Sequence, residues 1–194
     1  MAENPFKNKQ SNQEKLEVRV EIAKSDDWMV CKELRVIMCK GDDAEMFGIT
    51  REGREEIIKE EEAESENEWK EKLSGDSAFG VLAWSDSKPI GIGLAKRREE
   101  KGDWYIYSGY VKPDSRGGVG KKILATRLEE IQRRGGKKVM LGVKATNATS
   151  ISIAESFGFK KVEYAENKEG FYMELEDVNA PEVIKKINEV LNAG

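Results

Sequence analysis

Val111-Lys112-Pro113-Asp114-Ser115-Arg116-Gly117-Gly118-Val119-Gly120-Lys121-Lys122 decides how this chain is read. An apolar, aromatic run from Trp104 to Val111 precedes it and has the composition of a strand. A helical pattern follows it, to about Arg134. A glycine-rich turn between a strand end and a helix start lets main-chain N–H groups close on an anion. Gly117, Gly118 and Gly120 carry no Cβ, so a phosphate can rest against the backbone. Two common phosphate loops do not fit. Ser115 stands where a P-loop needs its first glycine, and Lys122 stands where it needs a hydroxyl for Mg²⁺. Ile123 takes the third glycine place of a dinucleotide fingerprint. The plain alternative is a tight turn in front of a helix.

Beyond the helix, Lys138-Val139-Met140-Leu141-Gly142-Val143 reads as a short strand. Asn147-Ala148-Thr149-Ser150-Ile151-Ser152-Ile153-Ala154-Glu155-Ser156-Phe157-Gly158-Phe159 comes next. Taken together, the two segments resemble the motifs of the GNAT N-acetyltransferase superfamily. The first of those motifs is a strand ending in Val-x-Pro, a basic glycine loop and a helix. The second is a strand, Asn-x-x-Ala/Ser, an amphipathic helix and Gly-Phe. The likeness spans roughly Val18 to Leu175. Upstream, Trp28, Lys32-Glu33-Leu34-Arg35, Ala44-Glu45-Met46-Phe47-Gly48-Ile49-Thr50 and Trp69 are similar to the amino-terminal helical region of a bacterial branch.

The resemblance implies a single α/β (α+β) domain over residues 17–177. Its central sheet would be mixed and mostly antiparallel, with about seven strands, flanking helices, and the fourth and fifth strands splayed. Residues 1–16 read as a disordered leader without the apolar core of a signal peptide. Residues 178–194 form an extra C-terminal helix, with Asn179-Ala180-Pro181-Glu182 as its cap and Ile184, Ile187, Val190 and Leu191 as an apolar stripe. Such a helix either folds back over the sheet or joins a second copy in a homodimer.

Pattern supplies the other elements. Val18 to Ile22 alternates like a strand. Asp26 or Asp27 can cap a helix from Trp28 to Lys40 that Gly41-Asp42-Asp43 ends. Glu52 to Lys72 is an acidic helical stretch, broken near Gly53. Strands follow around Phe79 to Ala83 and from Ile90 to Ala95, and the last two lie near Lys160 to Tyr164 and Phe171 to Leu175. Within the helix after the loop, Gly120, Leu124, Leu128 and Ile131 share one face, and Gly135-Gly136 stops it.

Composition narrows the function. A chain of 194 residues can bury one sizeable core, and no apolar run is long enough to span a bilayer. A net charge of −4 argues against a nucleic-acid surface. Without any histidine, His-based triads and His-ligated metals are excluded, and no metal site is expected. Cys31 and Cys39 lie too far apart along one helix for a disulfide, which fits a reducing cytoplasm. The acidic run around Glu60-Glu61-Glu62 is either a solvated helix face or an attractor for a cationic acceptor.

The resemblance also implies chemistry. Acetyl-CoA would be the donor, and a small primary amine or a peptide amino terminus the acceptor; the alternatives are a catalytically silent acyl-CoA-binding module of the same fold and an acyltransferase using another acyl group or acceptor. The pyrophosphate would meet Ser115, Arg116, Gly117, Gly118, Val119, Gly120 and Lys121. The pantetheine arm would lie along Tyr110 and Val111, opposite Asn147, Ser150 and Ala154. Trp28, Phe47 and Thr50 would form one acceptor wall, and Tyr164 and Tyr172 the other. Two departures stand out. Pro113 to Gly120 is one step shorter than the family's usual spacing. Ala154, seven residues after Asn147, takes the place where relatives often carry a tyrosine acid. No carboxylate lies on the strand before the loop, which leaves Tyr107 and Tyr110 as candidate catalytic groups. Each would otherwise pack in the sheet with its hydroxyl at the surface. A missing base favours a low-pKa acceptor: about 14% of an α-amine is neutral at pH 7, against about 0.04% of a lysine-like amine.

Overall fold

Side-chain alternation divides the core between the two faces of one sheet. The computed structural model describes residues 17–164 and 169–193, without the side chains of residues 163 and 164. The expected leader, 1–16, lies outside the described residues. Among the described residues, seven strands are present: β1 (Val18–Ile22), β2 (Ala78–Ser85), β3 (Lys88–Arg97), β4 (Trp104–Val111), β5 (Val139–Lys144), β6 (Lys160–Tyr164) and β7 (Gly170–Leu175). Six helices accompany them: α1 (Trp28–Lys40), α2 (Arg54–Ala63), α3 (Glu66–Ser74), α4 (Val119–Arg133), α5 (Ala148–Glu155) and α6 (Pro181–Leu191). The strand order is β1-β2-β3-β4-β5-β7-β6, antiparallel except for the parallel β4–β5 pair. This is the mixed, mostly antiparallel sheet expected.

On β2, Phe79, Val81 and Ala83 join the core built with α4 and α6, whereas Leu82 joins the core under α1 and α3. The period of two thus feeds both layers, as a sheet covered on both faces requires. Helix α4 packs closely because β3 presents glycine to it. A Cβ on Gly91 would meet Ile123 Cδ1 at 3.0 Å, and one on Gly93 would meet Ile123 Cγ2 at 2.7 Å. Helix α6 folds back onto this layer, burying Val183, Ile187 and Val190. No helix among the described residues is long and apolar enough to cross a membrane.

Two local expectations are corrected. The acidic stretch is non-helical up to Gly53, the N-cap of α2, and it breaks again at Ser65, which the pattern does not anticipate. Ser65 caps α3 with a capping box: its hydroxyl accepts from the Glu68 N–H at 3.3 Å, and Glu68 Oε2 accepts from the Ser65 N–H at 2.6 Å. Asp27 occupies the N-cap position of α1, but its carboxylate makes no cap bond there and accepts from the Lys24 N–H at 2.8 Å.

Candidate functional site

Strands β4 and β5 pair only at Trp104↔Val139, Tyr105↔Met140 and Ile106↔Leu141. Beyond Ile106 they separate, and a cleft of about 510 Å³ opens between them. Tyr107 to Val111 line one wall and Leu141 to Lys144 the other. Gly120, Ile123, Leu124 and Arg127 of α4 and Ser150, Ile153 and Ala154 of α5 also line it, with Met46 and Phe47 from the turn after α1. The β5-facing edge of β4 therefore has no strand partner along Tyr107 to Val111 among the described residues. Main-chain donors on such an edge are open to a ligand.

A bulge shapes that edge. The β3–β4 register passes from Ile92↔Tyr110 to Leu94↔Tyr107, setting Ser108 and Gly109 of β4 against the single residue Gly93 of β3, and Ser108 holds φ 53°. A non-glycine residue at positive φ is uncommon and is kept only where surrounding contacts enforce it. The bulge turns Tyr107 and Tyr110 toward the same α1-side layer, although they are three residues apart. Tyr110 packs edge-on against Phe47, centroids 5.7 Å apart, and Tyr107 stacks on Tyr105 at 6.2 Å. Tyr110 is buried and Tyr107 half-buried. Tyr110 is 3% exposed. Burial drives the Tyr107 phenol up to about 12, with Arg35 opposing and Glu64 and Glu61 adding to the rise. Tyr110 shifts upward too, from burial first and then the Asp43 carboxylate. Both phenols are therefore protonated donors near neutral pH.

The glycine loop offers a narrower set of donors than expected. The Arg116 N–H bonds to the Pro113 carbonyl (3.4 Å) and the Lys121 N–H to the Gly118 carbonyl (3.0 Å). The N–H groups of residues 117–120 have no partner among the described residues, and they stand at the start of the 15-residue α4. Gly118 holds φ 96°, in the left-handed region that a side chain resists. The guanidinium of Arg116 pairs with Asp43, and Arg116 Nε donates to the Val111 carbonyl at 3.4 Å. The loop is thereby tied to the turn that carries Met46 and Phe47.

The other predicted residues divide. Asn147 caps α5: its Oδ1 accepts from the Ser150 N–H at 3.0 Å and its Nδ2 donates to the Met46 carbonyl at 3.2 Å. It lines the cleft with both polar ends already engaged. Ala154, 1% exposed, and Ser150 line the same wall. Phe47 and Tyr172 line the cleft, whereas Trp28 and Thr50 do not. Trp28 borders a separate shallow groove with Met29, Val36 and Ile37 on α1, and Thr50 is exposed, its Oγ1 accepting from the Gly53 N–H at 3.3 Å. The Tyr164 side chain lies outside the described residues. Trp69 is fully buried in the α1–α3 layer.

Sequence reasoning overlooked Arg35, whose guanidinium pairs with Glu61, and Arg127, which reaches the cleft from the middle of α4. Arg35 ends the Lys32-Glu33-Leu34-Arg35 segment, but nothing in its spacing shows that it faces a cleft. Arg127 follows Leu124 by three and carries the sequence mark of a buried-face position.

A family model described as Acetyltransferase (GNAT) family matches residues 44–159, more than half of the chain. A sequence search of the curated proteins finds no match. Solved structures share the fold at low identity. One is the PaiA N-acetyltransferase from Thermoplasma acidophilum in complex with coenzyme A, 19% identical, TM-score 0.67, covering 82% of this chain and 99% of that one. Another is yncA from Salmonella typhimurium with its cofactor acetyl-CoA, 19% identical, TM-score 0.56, covering 82% and 94%. A third is the ribosomal-protein-S18-alanine N-acetyltransferase from Escherichia coli, 15% identical, TM-score 0.56, covering 82% and 93%.

Proposed function

The chain belongs to the acetyltransferase (GNAT) family, and we propose that it moves an acetyl group from acetyl-CoA to a primary amine. One observation carries the reading: four amides, 117–120, without a partner among the described residues, stand at the start of α4, whose Gly120 lines a cleft walled by an unpaired strand edge. That arrangement suits a long ligand with an anionic head and an amide-bearing arm. Acetyl-CoA brings such a head and arm together with an activated thioester.

The residues divide the work. The amides and the dipole of α4 hold the pyrophosphate, the dipole adding about 0.3–1 kcal/mol. The free edge of β4 near Tyr110 and Val111 pairs with the pantetheine arm, and an N–H there polarises the thioester carbonyl. Phe47 and Tyr110 keep water from the attacking amine, which favours its neutral form. The amine attacks the thioester carbon directly and expels the coenzyme thiolate. Tyr107 or Tyr110 can donate a proton to that sulfur, taking over from the tyrosine absent at Ala154. The amine loses its proton to water or to a carboxylate reached through water. The structural relatives named above, one an N-acetyltransferase with coenzyme A and one with acetyl-CoA, support the donor assignment.

The test is incubation with acetyl-CoA and a panel of α-amines, polyamines and lysine-containing peptides, with thiol release followed. Saturable acetyl-CoA binding and acceptor-dependent thiol release are expected. Calorimetry without heat at millimolar acetyl-CoA defeats the reading; binding without release for any amine leaves a silent acyl-CoA-binding module instead.

A further inference from the structure

Arg127 is a buried cation without an anion. It is 6% exposed. No carboxylate among the described residues pairs with it. Its Nη1 donates to the carbonyls of Leu94 (3.3 Å) and Tyr107 (3.2 Å), and its Nε has no partner. Burying a charged group without a counter-charge is strongly unfavourable. Burial alone lowers this guanidinium to about 10, and no neighbouring charge enters as a cause.

The fold makes room for it deliberately. A Cβ on Gly93 would come within 3.0 Å of Arg127 Cζ and Nε, and one on Gly109 within 3.2 Å of Nη2. The guanidinium thus lies against glycines on β3 and β4, below the bulge, and borders the cleft. Seven residues of α4 separate it from Gly120, about 10 Å at the helical rise. It therefore stands toward the reacting end of the bound donor, away from the pyrophosphate amides.

We propose that Arg127 is the anchor for a carboxylate inside the cleft, so that one substrate of the transfer is an acid as well as a thioester or an amine. This rests on the donor reading given above. The carboxylate has two chemical sources: the far end of a dicarboxylic acyl group on coenzyme A, or the carboxylate of an amino-acid acceptor. Either would supply the missing counter-charge and accept from the guanidinium face that the bulge carbonyls leave unused. A merely structural arginine, stapling the bulge through Leu94 and Tyr107, would show no preference between charged and neutral ligands.

The experiment measures binding, so no acceptor need be known. Calorimetry compares acetyl-CoA with malonyl-CoA and succinyl-CoA on the wild-type protein and on Arg127→Gln. A second arm, with acetyl-CoA saturating, compares L-alanine, L-glutamate and L-lysine with their α-carboxamides. A charge-assisted pair predicts about a 10- to 100-fold preference for the acid in one arm, lost in Arg127→Gln while acetyl-CoA still binds. Preference in the first arm assigns the donor as the acid, and preference in the second assigns the acceptor. Acetyl-CoA binding without an acid preference in either arm overturns the proposal alone, as does a preference that survives Arg127→Gln. Loss of all acetyl-CoA binding by the wild-type protein overturns the donor reading and this inference with it. Should Arg127→Gln not fold, the wild-type comparison decides by itself.

Discussion

Gly118 and Gly120 stand two residues apart in the loop but do different work, and substituting each by alanine separates loop conformation from ligand space. Gly118 holds φ 96°, with nothing within 4 Å of an added Cβ. Alanine there meets no neighbour, yet its backbone is strained by about 1–2 kcal/mol in the left-handed region. For a chain of this size that lowers Tm by about 2–8 °C. Gly120 lies inside α4 at an ordinary helical φ, and its Cβ would meet Ile153 Cδ1 at 3.5 Å and Val111 Cγ2 at 3.9 Å. The free protein accepts that methyl and gains up to about 1 kcal/mol of helix propensity. In the liganded protein the methyl occupies the slot between α4, α5 and β4 that the donor must enter. Overpacking of this kind costs about 1–3 kcal/mol, or roughly 5- to 150-fold in affinity. Gly120→Ala should therefore keep or raise the unliganded Tm while weakening acetyl-CoA binding. Thermal unfolding without ligand and calorimetric titration with acetyl-CoA read the two effects separately. If Gly120→Ala binds acetyl-CoA as tightly as wild type, the donor does not run through this slot. If it destabilises the free protein as much as Gly118→Ala does, the packing argument is wrong.

Three further outcomes are expected. Trp69→Ala, at a fully buried site in the α1–α3 layer, should lower stability by about 3–5 kcal/mol in urea unfolding; a loss below 1 kcal/mol would mean that the helix is loosely docked. Burial raises Cys31 from 9.0 to about 12 and Tyr107 from 10.0 to about 12, so the native state holds these protons more tightly than the unfolded chain. The associated stability is complete below pH 9 and is lost as pH climbs from 9 toward 12; urea midpoints should fall over that range, less so in Tyr107→Phe, and a flat profile to pH 11 would refute the assignment. Phe47→Ala opens the wall beside Tyr110 and should raise KM for the acceptor far more than KM for acetyl-CoA; equal losses for both would make Phe47 a core residue only.

Local chemistry made much of this molecule readable in the linear chain. Strand alternation and the glycine stops act within a few residues, and each shapes the structure where the pattern places it. Helix α1 spans Trp28–Lys40 as its pattern implies, and the glycine loop enters α4 through a left-handed Gly118. The pattern marks the turn at Gly53 but not the second break, at Ser65, where no glycine or proline stands and a capping box satisfies two amides at once.

The rest needed distant parts of the chain to meet. Alternation assigns Tyr107 and Tyr110 to opposite faces of a strand, and the bulge against β3 brings them to the same one. That shift depends on the β3 register, which no window along β4 contains. Asn147 reads as a ligand group, but its amide is consumed by Met46, 101 residues earlier in the chain. Trp28 reads as an acceptor wall, but the turn of α1 carries it to another groove. The sequence by itself determined the family, the order of elements and the glycine loop that enters α4, because those depend on short-range dihedral preference and periodicity. Only the tertiary structure decided which side chains share the cleft. There, Arg127 is set against Gly93 and Gly109 on two different strands, and its lack of a counter-charge is a property of the packed interior and of no segment taken alone.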